Sequence, residues 1–282
     1  MPSFSFTDIF WLVFIVLVLL PALKMNRVER ARIKLIRKIE RQRGSRVITL
    51  IHRQEPISFL GIPLTRFINI EDSEQILRAI RLTPECMPID LILHTPGGLV
   101  LASEQIARAL QKHPAKVTVF IPHYAMSGGT MVALAADEII MDENAVMGPV
   151  DPQIGDMPAA SIIETVREKG PRKVDDRTLI LADVSSKALK QVYTFMKYLL
   201  EKKMSMEKAT VVARLFSSGQ WTHDYPITYR QLADIELNVN TNMHREIYTL
   251  MDLFPQAQQR RPSVQFIPEP YHRERDRDRN KN

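Results

Sequence analysis

The sequence predicts an α/β protein built on a parallel sheet, and three observations carry that expectation. Short apolar, β-branched runs alternate with segments of helical spacing. Two of those runs end in glycine-bearing turns. Of the 282 residues 45% are hydrophobic and 25% charged, which suits one large core covered by helices on both faces of a sheet.

Taken in order, the chain opens on an apolar run, "IFWLVFIVLVLLPAL", from Ile9 to Leu23. Counted from Phe4, it reaches the roughly 20 residues that a spanning helix needs, so residues 1–24 are expected to form a transmembrane anchor. Nothing before Ile9 is basic, whereas "KMNRVERARIKLIRKIERQRGSR" follows directly. That asymmetry differs from a cleaved signal peptide, and by the positive-inside rule it holds the following body in the cytoplasm. Residues 25–44 are expected to be a basic helix, either lying along anionic lipid headgroups or simply solvated. Residues 45–254 are the expected folded domain. Residues 255–282, rich in Pro, Gln and Arg, are expected to be a disordered basic tail.

The net charge of +6 is therefore concentrated in the juxtamembrane segment and the tail, with no aromatic-interleaved basic stripe between them, and nucleic acid is not an expected partner. A single cysteine, Cys86, excludes an internal disulfide framework and any multi-cysteine metal site. No HExxH, GxxxxGK[ST] or GxGxxG pattern occurs, so neither a metal nor another cofactor is expected.

Within the folded domain, "RVITLIH" reads as a strand, and "EDSEQILRAIRL" as a helix that Asp72 and Gln75 would open with a capping box. "IDLILHTPGG" is a buried strand entering a tight turn, and "LVLASEQIARALQKH" has helical spacing. "AKVTVFIP" is the next strand, "SGGTMVALAA" a small-residue helix and "DEIIMD" another strand. Later, "SSKALKQVYTFMKYLLEKK" and "SMEKATVVARLFSSGQW" read as paired amphipathic helices, the second capped by Ser205. "THDYPITYRQLADIELNV" then offers a turn, a short helix and a strand-like end.

Two turns stand out. His94–Gly98 ("HTPGG") ends one strand and His123–Gly129 ("HYAMSGG") ends the next. In parallel α/β sheets, ligands gather at the carboxyl ends of strands, so the turns are expected to be neighbours on one edge. Ser127 between them has two readings. It lets a helix pack close to the sheet, or it is a nucleophile flanked by backbone N–H groups that can hold an oxyanion.

"HTPGG" followed by "AMSGGTMVALAADEIIMDENAVMGPVDPQIG" resembles the Clp protease and crotonase superfamily. Within it the chain is similar to signal peptide peptidase A and the membrane-bound stomatin proteases, and most of all to the serine dehydrogenase proteinase family. The resemblance covers roughly Val47 to Asn238 and implies a Clp/crotonase-like fold behind an N-terminal transmembrane helix. It further implies a serine endopeptidase with Ser127 as nucleophile and the amides of Gly98 and Gly128 as oxyanion hole. The soluble Clp protease takes its base from a histidine soon after the serine, but "VMGPVDPQIG" contains none. The membrane-bound branches use a lysine instead. Lys187, at the start of an apolar helix, is the expected base, with Lys169 and Lys173 as alternatives. Asp151 reads as a turn former or an orienting residue, and His223 and Asp224 as turn or cap residues, or as lining of the site.

The resemblance thus implies a single-pass cell-membrane protein with its protease domain on the cytoplasmic side. Its expected partners are membrane-associated protein or peptide substrates, membrane lipid and further copies of itself. Two rival readings share the fold: a crotonase-type enzyme acting on acyl-coenzyme A, and an inactive membrane scaffold.

Overall fold

A computed structural model of the chain describes residues 10, 11, 14, 20–53, 55–57, 62–64 and 67–254. Most of the expected anchor and the whole of the expected tail, 255–282, lie outside these residues. Among the described residues no helix is long and apolar enough to cross a membrane.

The first element, α1 (Leu20–Arg43), covers the expected basic segment. Then come β1 (Arg46–Ile51), the short antiparallel pair β2 (Glu55–Ile57) and β3 (Ile62–Leu64), and α2 (Ile70–Arg81). The capping box of α2 lies upstream of the expected one. Asn69 is the N-cap, its side chain accepting from Asp72 N–H, while the Asp72 carboxylate accepts from Asn69 N–H. Asp72 therefore closes the box at the N3 position and does not open it. There follow β4 (Ile89–His94), α3 (Val100–Lys112), β5 (Val117–Ile121), β6 (Tyr124–Ala125), α4 (Gly128–Leu134), β7 (Glu138–Met141) and β8 (Val146–Met147).

Among the elements that the sequence reading did not mark are the hairpin β9 (Gln153–Ile154) and β10 (Met157–Pro158), α5 (Ala159–Lys169), and the last helix. After a 3-10 turn (Pro171–Lys173) comes α6 (Asp176–Leu200), which starts well before the expected Ser185 because Asp175 caps it, accepting from Thr178 N–H. Then come α7 (Met206–Ser217), capped by Ser205 as expected, β11 (Ile227–Thr228), α8 (Tyr229–Asp234), β12 (Val239–Asn240) and α9 (Arg245–Asp252).

The main sheet has the order β1-β4-β5-β7-β12, and every pairing in it is parallel. β4 and β5 are buried at every position, as strands covered on both faces must be. Their side chains divide by the strand period of two. Leu91, Leu93, Val119 and Ile121 join the larger core with Ile106 of α3, Met131 of α4 and Phe195 of α6. Ile92 and Phe120 point to the other face, against Ile39 of α1 and Ile247 and Leu250 of α9.

Asp90, buried in β4, is held by Arg43 (3.1 Å from Nη2 to Oδ1) and by the Ser45 hydroxyl (2.5 Å), so the end of α1 is fastened to the sheet. A second, three-stranded sheet, β11-β8-β6, closes the carboxyl edge.

Candidate active site

The two glycine turns do meet. Met126 N–H donates to Thr95 O (3.0 Å) and Thr95 N–H to Tyr124 O (3.2 Å), which stitches the end of β4 to β6. The contact is so close that a methyl on Gly97 would stand 2.8 Å from Cβ of Ser127, and one on Gly129 would stand 2.6 Å from Cγ2 of Thr95. From the other side Ile68 grips the first turn: its N–H donates to Gly97 O (2.7 Å), and its carbonyl accepts from Leu99 N–H (2.8 Å). The chain's own backbone thus occupies that side of the turn.

Ser127 is held at φ 49° and ψ −115°, in the left-handed half of backbone space that a residue with a Cβ rarely enters. Such strain costs on the order of 1–3 kcal/mol and concentrates at functional sites. It mounts the serine on a sharp strand-to-helix elbow. Among the described residues neither Gly98 N–H nor Gly128 N–H donates a hydrogen bond, and both glycines line the same cleft as Ser127, about 370 Å³ in volume. The structure thus brings together three of the four expected site residues.

It does not bring the fourth. The Lys187 ammonium is exposed and paired with Asp183 at 2.5 Å, one helical turn away. It lines a separate recess with Glu104, Arg108 and Lys190. The cleft is instead walled by its chain neighbour Ala188, with Val192 one turn on. Successive residues lie about 100° apart around a helix, so a wall built from 188 and 192 turns 187 aside. Lys169, at the end of α5, and Lys173, in the 3-10 turn, are exposed and also absent from the lining.

Two polar side chains of the cleft had only weak signals in the sequence. Asp151 is 2% exposed; its Oδ2 accepts from Gln153 Nε2 (2.8 Å), while its Oδ1 is buried without a partner. Burial raises its pKa above the usual carboxylate range, against the smaller opposing effects of the Gln153 hydrogen bond and the His223 charge. His223 lines the cleft, and its Nδ1 is buried and unpaired.

Both come from loops fixed by tertiary contacts. Thr130 of α4 accepts from Gly148 N–H (3.2 Å), and Val150 N–H donates to Phe216 O (2.8 Å). Trp221 stacks on Tyr225 (4.7 Å between centroids) and meets the Phe216 ring edge-on, anchoring the loop that carries His223. The cues in the sequence were "VDP" and "THD", and both also fit simple turns.

Beneath the first turn, His94 is 1% exposed with both ring nitrogens unpaired, packed 4.2 Å from the Tyr124 ring. Burial and then the Arg53 charge lower its pKa to about 3.

The chain is 60% identical over 265 residues to one uncharacterised protein of Methanocaldococcus jannaschii, covering 94% of this chain and 90% of that one. It is 54% identical over 266 residues to a second from the same organism, covering 94% and 93%. In structure it is distantly similar to a membrane-bound stomatin-specific protease in complex with a substrate peptide, at 19% identity and a TM-score of 0.45 over 65% of this chain and 74% of that one. The sequence model of the ClpP-like SDH-type serine proteinases matches residues 2–281, a wider span than Val47–Asn238. The chain therefore belongs to the ClpP-like SDH-type serine proteinase family, as a serine peptidase on an α/β, ClpP-like fold with a parallel sheet.

Proposed function

We propose that the protein is a membrane-anchored serine endopeptidase in which Ser127 attacks the scissile carbonyl and the amides of Gly98 and Gly128 hold the oxyanion. The observation that carries this reading is the left-handed backbone of Ser127 beside two amides that donate to nothing else. An amide of this kind is worth about 2.7–4 kcal/mol when it meets a developing oxyanion. A crotonase-type acyl-coenzyme A enzyme would use the two amides but has no need of a strained serine between them.

The anchor rests on the apolar run Ile9–Leu23 and the basic residues after it, which place the protease domain on the cytoplasmic side of the cell membrane. Membrane-associated proteins or peptides are then the substrates within reach, and membrane lipid is a partner. Assembly into a homo-oligomer fits the exposed apolar residues Ile180 and Val184 on α6. A Ser–Lys dyad at this site requires the Lys187 ammonium to leave Asp183 and swing past Ala188 to Ser127.

A fluorophosphonate probe applied to the full-length chain tests the nucleophile. A single label at Ser127, absent from a folded Ser127→Ala variant, is the expected result. Labelling that survives that substitution would remove Ser127 from the role.

A further inference from the structure

We propose that the groove between α1 and the start of β1 binds the phosphate of an anionic phospholipid headgroup, with Arg30 and Lys34 as its principal ligands. The proposal rests on the reading of Ile9–Leu23 as a membrane anchor, and adds to it a site and a lipid class.

α1 carries cations on two faces, and the fold treats them differently. On the packed face each finds a partner. Arg32 Nε donates to Leu253 O (2.7 Å) and its guanidinium lies 4.0 Å over the Phe254 ring; Lys38 pairs with Glu246 (3.0 Å), and Arg43 holds Asp90. On the other face Arg30, Lys34, Arg37 and Arg41 recur every three or four residues, which on an α-helix makes one stripe. All four are exposed, and among the described residues none has an acidic partner. Arg41 Nε donates only to Arg37 O in the turn before it (3.3 Å). Like charges one turn apart weaken the helix that bears them.

The stripe lines a recess of about 820 Å³, which Arg46 of β1 and Met87 of the loop before β4 complete. The one acid in its lining is Glu40, and that carboxylate already accepts from Val47 N–H (3.2 Å) and pairs with Arg46 (3.5 Å). The four stripe cations are thus left without a counter-charge in the recess. Ile33, 44% exposed, sits within the stripe, and Met87 is 37% exposed. A free phosphate has no use for these apolar side chains, whereas the glycerol and ester carbons beside a lipid phosphate do.

Position along the chain favours the same ligand. The first turn of α1, Leu20–Leu23, is the end of the apolar run, and Arg30 follows Leu23 by seven residues. At about 1.5 Å per residue that is about 10 Å along the axis, against a polar headgroup layer about 5–7 Å thick. Helical side chains lean toward the N-terminus, here the membrane end, so Arg30 and Lys34 reach back into that layer. Arg37 and Arg41 stand further out and extend the positive field, which acts over a Debye length of ~8 Å. The phosphate is held between Arg30 and Lys34, with Ile33 against the glycerol.

The experiment titrates the full-length chain in neutral-detergent micelles with phosphatidylglycerol, phosphatidylcholine and free glycerol phosphate, and measures the heat of binding. Phosphatidylglycerol is expected to saturate one site and to bind at least about tenfold more tightly than either of the others, as its added charge and its glycerol contacts require. Arg30→Gln combined with Lys34→Gln should weaken it about 30-fold, from about fivefold per charge, while Arg30→Lys alone should bind like wild type. Arg78→Gln combined with Arg81→Gln removes two exposed cations at the end of α2 and should change nothing. Equal losses in the two double variants, or none in the first, would overturn the proposal. Glycerol phosphate binding as tightly as the lipid would overturn the choice of a lipid. The anchor is tested apart, by incorporation into vesicles of phosphatidylcholine alone: a chain that inserts but shows no preference for phosphatidylglycerol sinks only this site, whereas a chain that fails to insert sinks the anchor and the site with it.

Discussion

A methyl group on Gly98 would stand 2.2 Å from the carbonyl oxygen of Ile68 and 2.4 Å from its nitrogen, with Gly98 itself at φ 155°. The amide proposed for the oxyanion is thus held in place by contact with a neighbouring backbone. Gly98→Ala is expected to lower stability by at least about 3 kcal/mol, well beyond the common range for a point substitution. Denaturant unfolding measures it. A variant that melts like wild type but has lost activity would show that Ile68 yields and that the amide alone is affected.

Lys187→Ala is expected to keep fluorophosphonate labelling within about twofold of wild type and to leave the melting temperature almost unchanged, because exposed ion pairs spaced like that with Asp183 contribute only ~0.3–0.5 kcal/mol. Labelling rates and a thermal melt check both. A loss of a hundredfold would restore the lysine as base.

Asp151→Asn is expected to stabilise the fold near pH 7 by about 1 kcal/mol. Burial raises the folded pKa of Asp151, so its ionisation opposes folding. The protein is then relieved of that cost below the unfolded pKa and bears it as pH rises through the folded value. The difference between variant and wild type in urea unfolding should therefore shrink toward zero as pH falls to about 4. An equal difference at both pH values would contradict the assignment of cause.

His94 is expected to contribute to the loss of stability in acid. It is neutral in the fold down to about pH 3, whereas the unfolded chain protonates it near 6.5. Below 6.5 the unfolded state binds the extra proton, and stability falls by up to about 1.4 kcal/mol per pH unit until His94 itself titrates. His94→Phe should flatten this dependence in unfolding experiments between pH 6.5 and 3. Parallel curves for variant and wild type would show that other groups govern it.

What the sequence made legible follows the range of the forces involved. The sheet could be read because β4 and β5 are continuous apolar runs, and a strand buried on both faces needs no partner to show itself. The meeting of the two turns that carry Ser127, Gly98 and Gly128 could be read because turn chemistry is local and both follow strands of one sheet. The start of α6 could not, since Ile180 and Val184 lie on its solvent side and blur the helical period. Asp151 and His223 were hidden for a related reason. Their place in the cleft depends on tertiary contacts such as the bond from Val150 N–H to Phe216 O and the Trp221–Tyr225 stack, neither of which leaves a periodic mark.

β12 joins the sheet edge last, pairing in parallel with β7 while Ile139 N–H donates to Asn238 O. The loop bearing His223 runs from α7 to β11, two elements ahead of that late strand. During synthesis on the ribosome, the serine elbow emerges about a hundred residues before the edge strand can dock, given the chain positions of Ser127 and Val239. A nascent chain therefore presents Ser127 before the His223 side of its cleft can be in place.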